Sequence, residues 1–205
     1  MRRRSFLGGA AIVGLTSASA GFGFVTNAFA ATTKGKVMSD NPLLQEWKTP
    51  FGTPPFSQIK PQHFVPAFEA SFKAHKAELA AIANNKAIPT FDNVFTAMEK
   101  SGADLTRVSY VFSHLTSANT NEELQKIEGD ISSKLSAHFS SISQDPALFS
   151  KVKAIYDKRN SLKLNSDQIH LVETQYKSFV RGGALLSQAD KDAIAKIDEQ
   201  LAQKQ

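Results

Sequence analysis

Phe64, Phe68 and Phe72, continued by Leu79 and Ile82, recur at steps of three, four and seven within residues 59–84. That spacing places them along one face of a helix. Pro61 and Pro66 fit only in or near a first helical turn, because proline fixes φ and has no N–H to donate. Lys73, Lys76 and Glu78 fall outside the stripe. Burying a phenylalanine is worth roughly 1.5–3 kcal/mol, so a face carrying three of them needs cover from the rest of the chain.

The rest of the chain supplies that cover as helices. Thr90 is placed to cap a second helix, with Val94, Phe95 and Met98 inward and Gly102 as its stop. A third runs over about 103–118 on Leu105, Val108, Phe112 and Leu115. Thr120 and Glu123 have the spacing of a capping box and open a long fourth carrying Leu124, Ile127, Ile131, Leu135 and Ile142. Asp145 and Pro146 start a fifth with Leu148, Phe149, Val152, Ile155 and Tyr156. Asn165 or Ser166 caps a sixth bearing Ile169, Val172, Tyr176 and Phe179, which Gly182 and Gly183 end. Ser187 and Asp190 open a seventh with Ile194, Ile197 and Leu201. No segment alternates as a strand does, and the connections are short. The expected fold is all-α, an antiparallel array of about seven helices.

Residues 1–30 read as an export signal. Arg3, Arg4, Phe6 and Leu7 follow the twin-arginine pattern, and Ala28 and Ala30 supply the small residues of a cleavage site. Five glycines and several hydroxyl residues make the intervening stretch a poor membrane span, so no stable anchor is expected once the signal is removed. The expected location is the periplasm. Residues 31–58, rich in proline, read as a tether, with Trp47 packed back on the body, and residues 59–205 as the helical body.

Without Arg2, Arg3 and Arg4, 21 basic side chains face 19 acidic ones, in place of the formal +5 of the whole chain. With no basic run outside the leader, no nucleic-acid partner is expected. The absence of cysteine rules out disulfides and thiolate metal sites. There is no phosphate-cradling glycine loop and no G-x-S-x-G elbow. His63 is read as a capping or packing residue, His75 and His170 as solvated, and His114 and His138 as core edge. Glu122 and Glu123 answer the helix dipole. His75 with Glu78 comes nearest to a metallopeptidase motif, but Leu79 stands where a second histidine would be required.

Several runs in order carry a family resemblance: Asn41-Pro42-Leu43-Leu44, Phe56-Ser57-Gln58-Ile59, His63-Phe64-Val65-Pro66-Ala67-Phe68, Phe91-Asp92-Asn93-Val94, Leu105-Thr106-Arg107-Val108, Thr120-Asn121-Glu122-Glu123-Leu124-Gln125 and Leu186-Ser187-Gln188-Ala189-Asp190-Lys191. The chain resembles the N-terminal region of the zinc oligopeptidases that include thimet oligopeptidase and neurolysin, and within them the bacterial peptidyl-dipeptidases. The resemblance implies a helical channel that admits short peptides, and removal of dipeptides from free C-termini. It implies zinc held by an H-E-x-x-H helix and a later glutamate; the motif's spacing lets both imidazoles share one helix face.

None of the five histidines belongs to such a motif, so no catalytic and no metal-binding residue is assigned here. Zinc is implied only for a full-length parent. The expectation is a non-catalytic channel-wall portion, truncated before the motif, whose partners are short peptides and a missing C-terminal catalytic half. The alternative is a free-standing periplasmic helical module that binds a peptide or a protein. A third reading is a structural bundle without a ligand.

Overall fold

The computed structural model describes residues 40–202; Arg3, Arg4, Phe6, Leu7, Ala28 and Ala30 lie outside the described residues. Six long helices make up the body: α1 (Phe64–Ala83), α2 (Ala103–Ala118), α3 (Glu122–Ser143), α4 (Pro146–Lys158), α5 (Ser166–Arg181) and α6 (Gln188–Ala202). No strand occurs among the described residues, so the all-α expectation holds, with six long helices instead of about seven.

The difference lies in the expected second helix. It is a π-helical turn, Asp92–Thr96, running into a single α-turn, Ala97–Lys100. Thr90 does cap it. The Thr90 amide donates to Asn93 Oδ1 at 2.8 Å, and the Asn93 amide donates to Thr90 Oγ1 at 3.2 Å. Val94 and Phe95 are both buried, on the inward side expected for them.

Most other starts agree with the sequence. Asp145 accepts from the amides of Ala147 and Leu148, with Pro146 in the first turn. Asn165 and Gln168 form a reciprocal capping box. Ser187 Oγ accepts from the Asp190 amide and donates to its carboxylate. The start of α3 is one residue later than expected. Its cap is Asn121, whose Oδ1 accepts from the Leu124 amide at 2.9 Å, in place of a Thr120 capping box. Asparagine caps at least as well as threonine.

Part of the stretch expected as a tether packs on the body. Leu43 is fully buried in the core that also holds Phe64 and Phe68. Asn41 fixes it there, donating from Nδ2 to the His63 carbonyl at 2.8 Å and accepting from the Leu43 amide at 3.0 Å. Trp47 also packs on this core, its indole N–H on the Pro42 carbonyl and the Arg107 guanidinium over its ring.

The interior consists of two apolar clusters, and α1 runs through both. Its first half gives Phe64, Ala67 and Phe68 to a cluster with Val108, Phe112 and Ile131. Phe64 and Phe68 both meet the Phe112 ring edge-on, with centroids at 5.0 and 5.5 Å. Its second half gives Leu79 and Ile82 to a cluster with Phe95, Phe149, Val152 and Phe179. The expected stripe is therefore the spine of the fold. α4 and α5 pack as a hairpin, stapled by the stacked rings of Tyr156 and Tyr176 and the Arg159–Glu173 ion pair at 2.9 Å. α3 reaches across the body to α1, α2, α5 and α6.

Candidate functional site

The seam between the two clusters is polar. Along α1 the stripe passes from Phe68 and Phe72 through His75 to Leu79. Along α3 it passes from Ile131 and Leu135 through His138 to Ile142. The two imidazoles meet there, His138 Nε2 to His75 Nδ1 at 3.0 Å. On its other side, His75 Nε2 lies 3.2 Å from Ser101 Oγ. Ser101 donates its own hydrogen to the Met98 carbonyl at 2.6 Å.

Counting hydrogens along this chain fixes its direction. A hydroxyl has one hydrogen, and that of Ser101 is on Met98, so Ser101 accepts from His75 Nε2–H. Neutral His75 then has a lone pair at Nδ1 and accepts from His138 Nε2–H. The remaining nitrogen, His138 Nδ1, is a buried acceptor with no hydrogen-bond partner. Both rings are held neutral. Burial pushes His138 down to about 4, helped by His75 and by Lys76. Burial also lowers His75, against a smaller upward pull from Glu78. The His138 ring is further enclosed by Phe72 and Phe139, at 4.9 and 5.5 Å.

The turn that carries Ser101 is made by glycine. Gly102 adopts φ +71°, and a Cβ there would come within 2.9 Å of the His75 ring. Its amide donates to Glu78 Oε2 at 2.7 Å. One turn of α1 therefore supports both sides of the junction, His75 beneath Ser101 and Glu78 on Gly102.

Two clefts flank this seam and share His75, Ser101 and Phe139 as their common wall. The larger, of about 340 Å³, lies over Leu79, Phe95, Met98 and Phe179, with Glu99 and Gln175 among its polar lining. The smaller, of about 300 Å³, is bounded by Leu105, Thr106, Tyr110 and Leu135. Both volumes are in the range of a small-ligand site.

Of the histidines singled out in the sequence, His63 is a cap: its Nδ1 accepts from the Lys60 amide at 3.1 Å. His170 is exposed, as expected. His75, expected to be solvated, is buried, and His114, expected at the core edge, is exposed. His138 is fully in the interior. The signal for His75 was present in its register, seven residues after Phe68 and four before Leu79; the charges of Lys73, Lys76 and Glu78 around it masked it.

These residues do not suit zinc. A zinc site takes at least three protein ligands, and the described residues contain no group of three histidine, cysteine or carboxylate side chains placed to hold a metal. His75 and His138 spend their facing nitrogens on each other, and Glu78 is engaged by the Gly102 amide. The seam is thus a neutral hydrogen-bonded joint between α1, α3 and the Ser101–Gly102 turn. No described helix is long and apolar enough to cross a membrane.

Comparison with known proteins agrees with this architecture. Residues 68–191 match the family model for the neurolysin/thimet oligopeptidase N-terminal domain. The chain is 40% identical over 162 residues to dipeptidyl carboxypeptidase of Escherichia coli, covering 79% of this chain and 24% of the relative. It is 38% identical over 165 residues to dipeptidyl carboxypeptidase of Salmonella typhimurium, covering 80% and 24%. Oligopeptidase A of Escherichia coli is 26% identical over 163 residues, covering 80% and 23%. The chain spans about a quarter of the length of these curated relatives. With the matched region extending from the second turn of α1 to the start of α6, the chain belongs to the neurolysin and thimet oligopeptidase family, whose N-terminal domain it carries.

Proposed function

We propose that this chain forms the non-catalytic wall of a peptide channel in a zinc-dependent peptidyl-dipeptidase, an enzyme that releases dipeptides from the C-termini of short peptides. The observation that carries the reading is the 38–40% identity to two dipeptidyl carboxypeptidases across four-fifths of the chain, against 26% to oligopeptidase A. The 205 residues contain no H-E-x-x-H, so the zinc ligands and the general base belong to polypeptide outside them. What these residues contribute is confinement: a rigid face with clefts sized for side chains, which selects extended peptides and holds them for chemistry done elsewhere. Remote contacts of that kind raise kcat/KM when they orient the scissile bond.

A chimera tests this. The matched region of Escherichia coli dipeptidyl carboxypeptidase is replaced by residues 68–191 of this chain. The chimera is expected to release C-terminal dipeptides from a blocked short peptide, and the 205-residue chain alone, given zinc, to release none. Chelator-sensitive release by the chain alone would overturn the reading, as would a folded chimera without activity.

The same proposal places the protein in the periplasm by the twin-arginine route, supported by the pattern of Arg3, Arg4, Phe6 and Leu7 ahead of Ala28 and Ala30. Replacing both Arg3 and Arg4 by lysine should leave a reporter fusion in the cytoplasm, and unchanged export of the double variant would refute that route.

A further inference from the structure

The larger cleft carries charge of one sign only. Among the residues that line it, Glu99 is the one with a formal charge; no lysine or arginine is present. His75, at the shared wall, contributes none, since its ring is neutral and both of its nitrogens are engaged. Glu99 is exposed, and it has no hydrogen-bond or ion-pair partner among the described residues. Below it the floor is apolar, made by Leu79, Phe95 and Phe179, all buried in the second cluster. Gln175 presents a half-buried amide, also without a partner, from α5.

A ligand complementary to these walls has an apolar group, a cationic group within one residue's reach of it, and a peptide-like group for an amide to meet. A fatty acid, a phosphate ester or a peptide C-terminus presents the wrong charge to Glu99. The α-ammonium end of a peptide that starts with a large apolar residue has all three features. About 340 Å³ holds one such residue and the peptide unit that follows it.

We propose that this cleft is an anchoring site for the free N-terminus of a short peptide, with the α-ammonium on Glu99, the first side chain over Leu79, Phe95 and Phe179, and the first peptide unit at Gln175. The inference rests on the channel-wall reading and extends it. An enzyme that cuts near the C-terminus gains from a hold on the opposite end of its substrate, because remote binding energy can be used to position the bond that breaks. Such a hold favours unblocked peptides with an apolar first residue.

Binding, not hydrolysis, is the test, so a failed chimera and a failed anchor remain distinguishable. The probe is the amidated tripeptide Phe-Ala-Gly, titrated into the 205-residue chain at pH 6.5 and low salt and followed by isotope-edited NMR. The comparison peptides are its N-acetylated form and an N-acetylated tripeptide that carries one lysine. The free amine is expected to bind saturably, with acetylation weakening it about threefold, as for loss of one exposed ion pair, and with the gap narrowing in salt. Glu99→Gln should weaken the free peptide by a similar factor and leave the acetylated one unchanged. Glu99 is exposed, so this variant is expected to melt as the parent does. Equal affinity for free and acetylated peptides overturns the proposal. So does equal binding of the blocked lysine peptide, an unaltered Glu99→Gln, or no saturable shift at residues of the cleft.

Discussion

Replacing Gly102 by alanine should lower the stability of this domain by about 2–4 kcal/mol, more than any change to an exposed helical position. Two costs combine. The backbone is in the left-handed region, at φ +71°, where a Cβ costs roughly 1–2 kcal/mol. The new methyl would also sit within 2.9 Å of the His75 ring, which is closed in by His138 on one edge and Ser101 on the other. The ring can move only by giving up one of those hydrogen bonds, each worth about 1 kcal/mol net. Gly129→Ala is the matched control. Gly129 lies in the exposed part of α3 with nothing within 4 Å of a new Cβ, and there alanine should stabilise by about 0.5–1 kcal/mol through helix propensity. Urea unfolding of both variants, read at unchanged m, gives opposite signs if the Ser101–Gly102 turn is built as described. A Gly102→Ala protein as stable as the parent would refute the account of the turn.

The apolar periodicity was enough to read the spine of the fold, and the polar seam was not. Phe64, Phe68, Leu79 and Ile82 occupy the face that their spacing assigns, because burial of large apolar side chains dominates the choice of face. Glycine and cap positions were equally legible: Gly102, Asn165 and the Asp145–Pro146 pair act locally, through backbone geometry and neighbouring amides. The π-helical turn at Asp92–Thr96 was not legible. The inward side chains Val94 and Phe95 were read correctly, but their spacing does not distinguish a π-helical turn from an α-helical one, since Val111 with Phe112 and Leu148 with Phe149 are adjacent buried pairs within regular helices. The His75–His138 joint failed to show for a different reason. The two residues are 63 positions apart, and each looks ordinary until α1 and α3 are laid together. Register would have placed both on buried faces; only tertiary contact shows that each is the other's partner. Leu43 likewise reads as part of a proline-rich lead-in until Asn41 is seen to fix it against the start of α1.

That joint makes the domain sensitive to acid in a definite direction. The His138 ring is pushed down to about 4 and His75 is lowered with it, whereas in the unfolded chain both titrate near 6.5. Between those values the unfolded state binds more protons than the folded one. Stability is therefore complete above about pH 6.5 and is lost progressively as pH falls toward 4. For His138 alone the full difference corresponds to about 3 kcal/mol, reduced to about 2 kcal/mol once screening near the exposed Phe139 edge is allowed for. The first proton can enter at the unpartnered His138 Nδ1 without breaking the bond to His75, so the cost at that stage is a charge desolvated between Phe72, Phe139 and a neighbouring imidazole. A second proton must go to His75 Nδ1, and that one separates α1 from α3. His138→Gln distinguishes this from general acid loss, since the glutamine amide can still donate to His75 Nδ1 but does not titrate. From pH 7.5 to 4.5 the parent should lose about 2 kcal/mol more than the variant in urea unfolding, and the two should converge in slope above pH 7. Equal losses would mean that the His138 ring takes up its proton as readily in the folded chain as in the unfolded one, and would overturn the account of a buried, neutral joint.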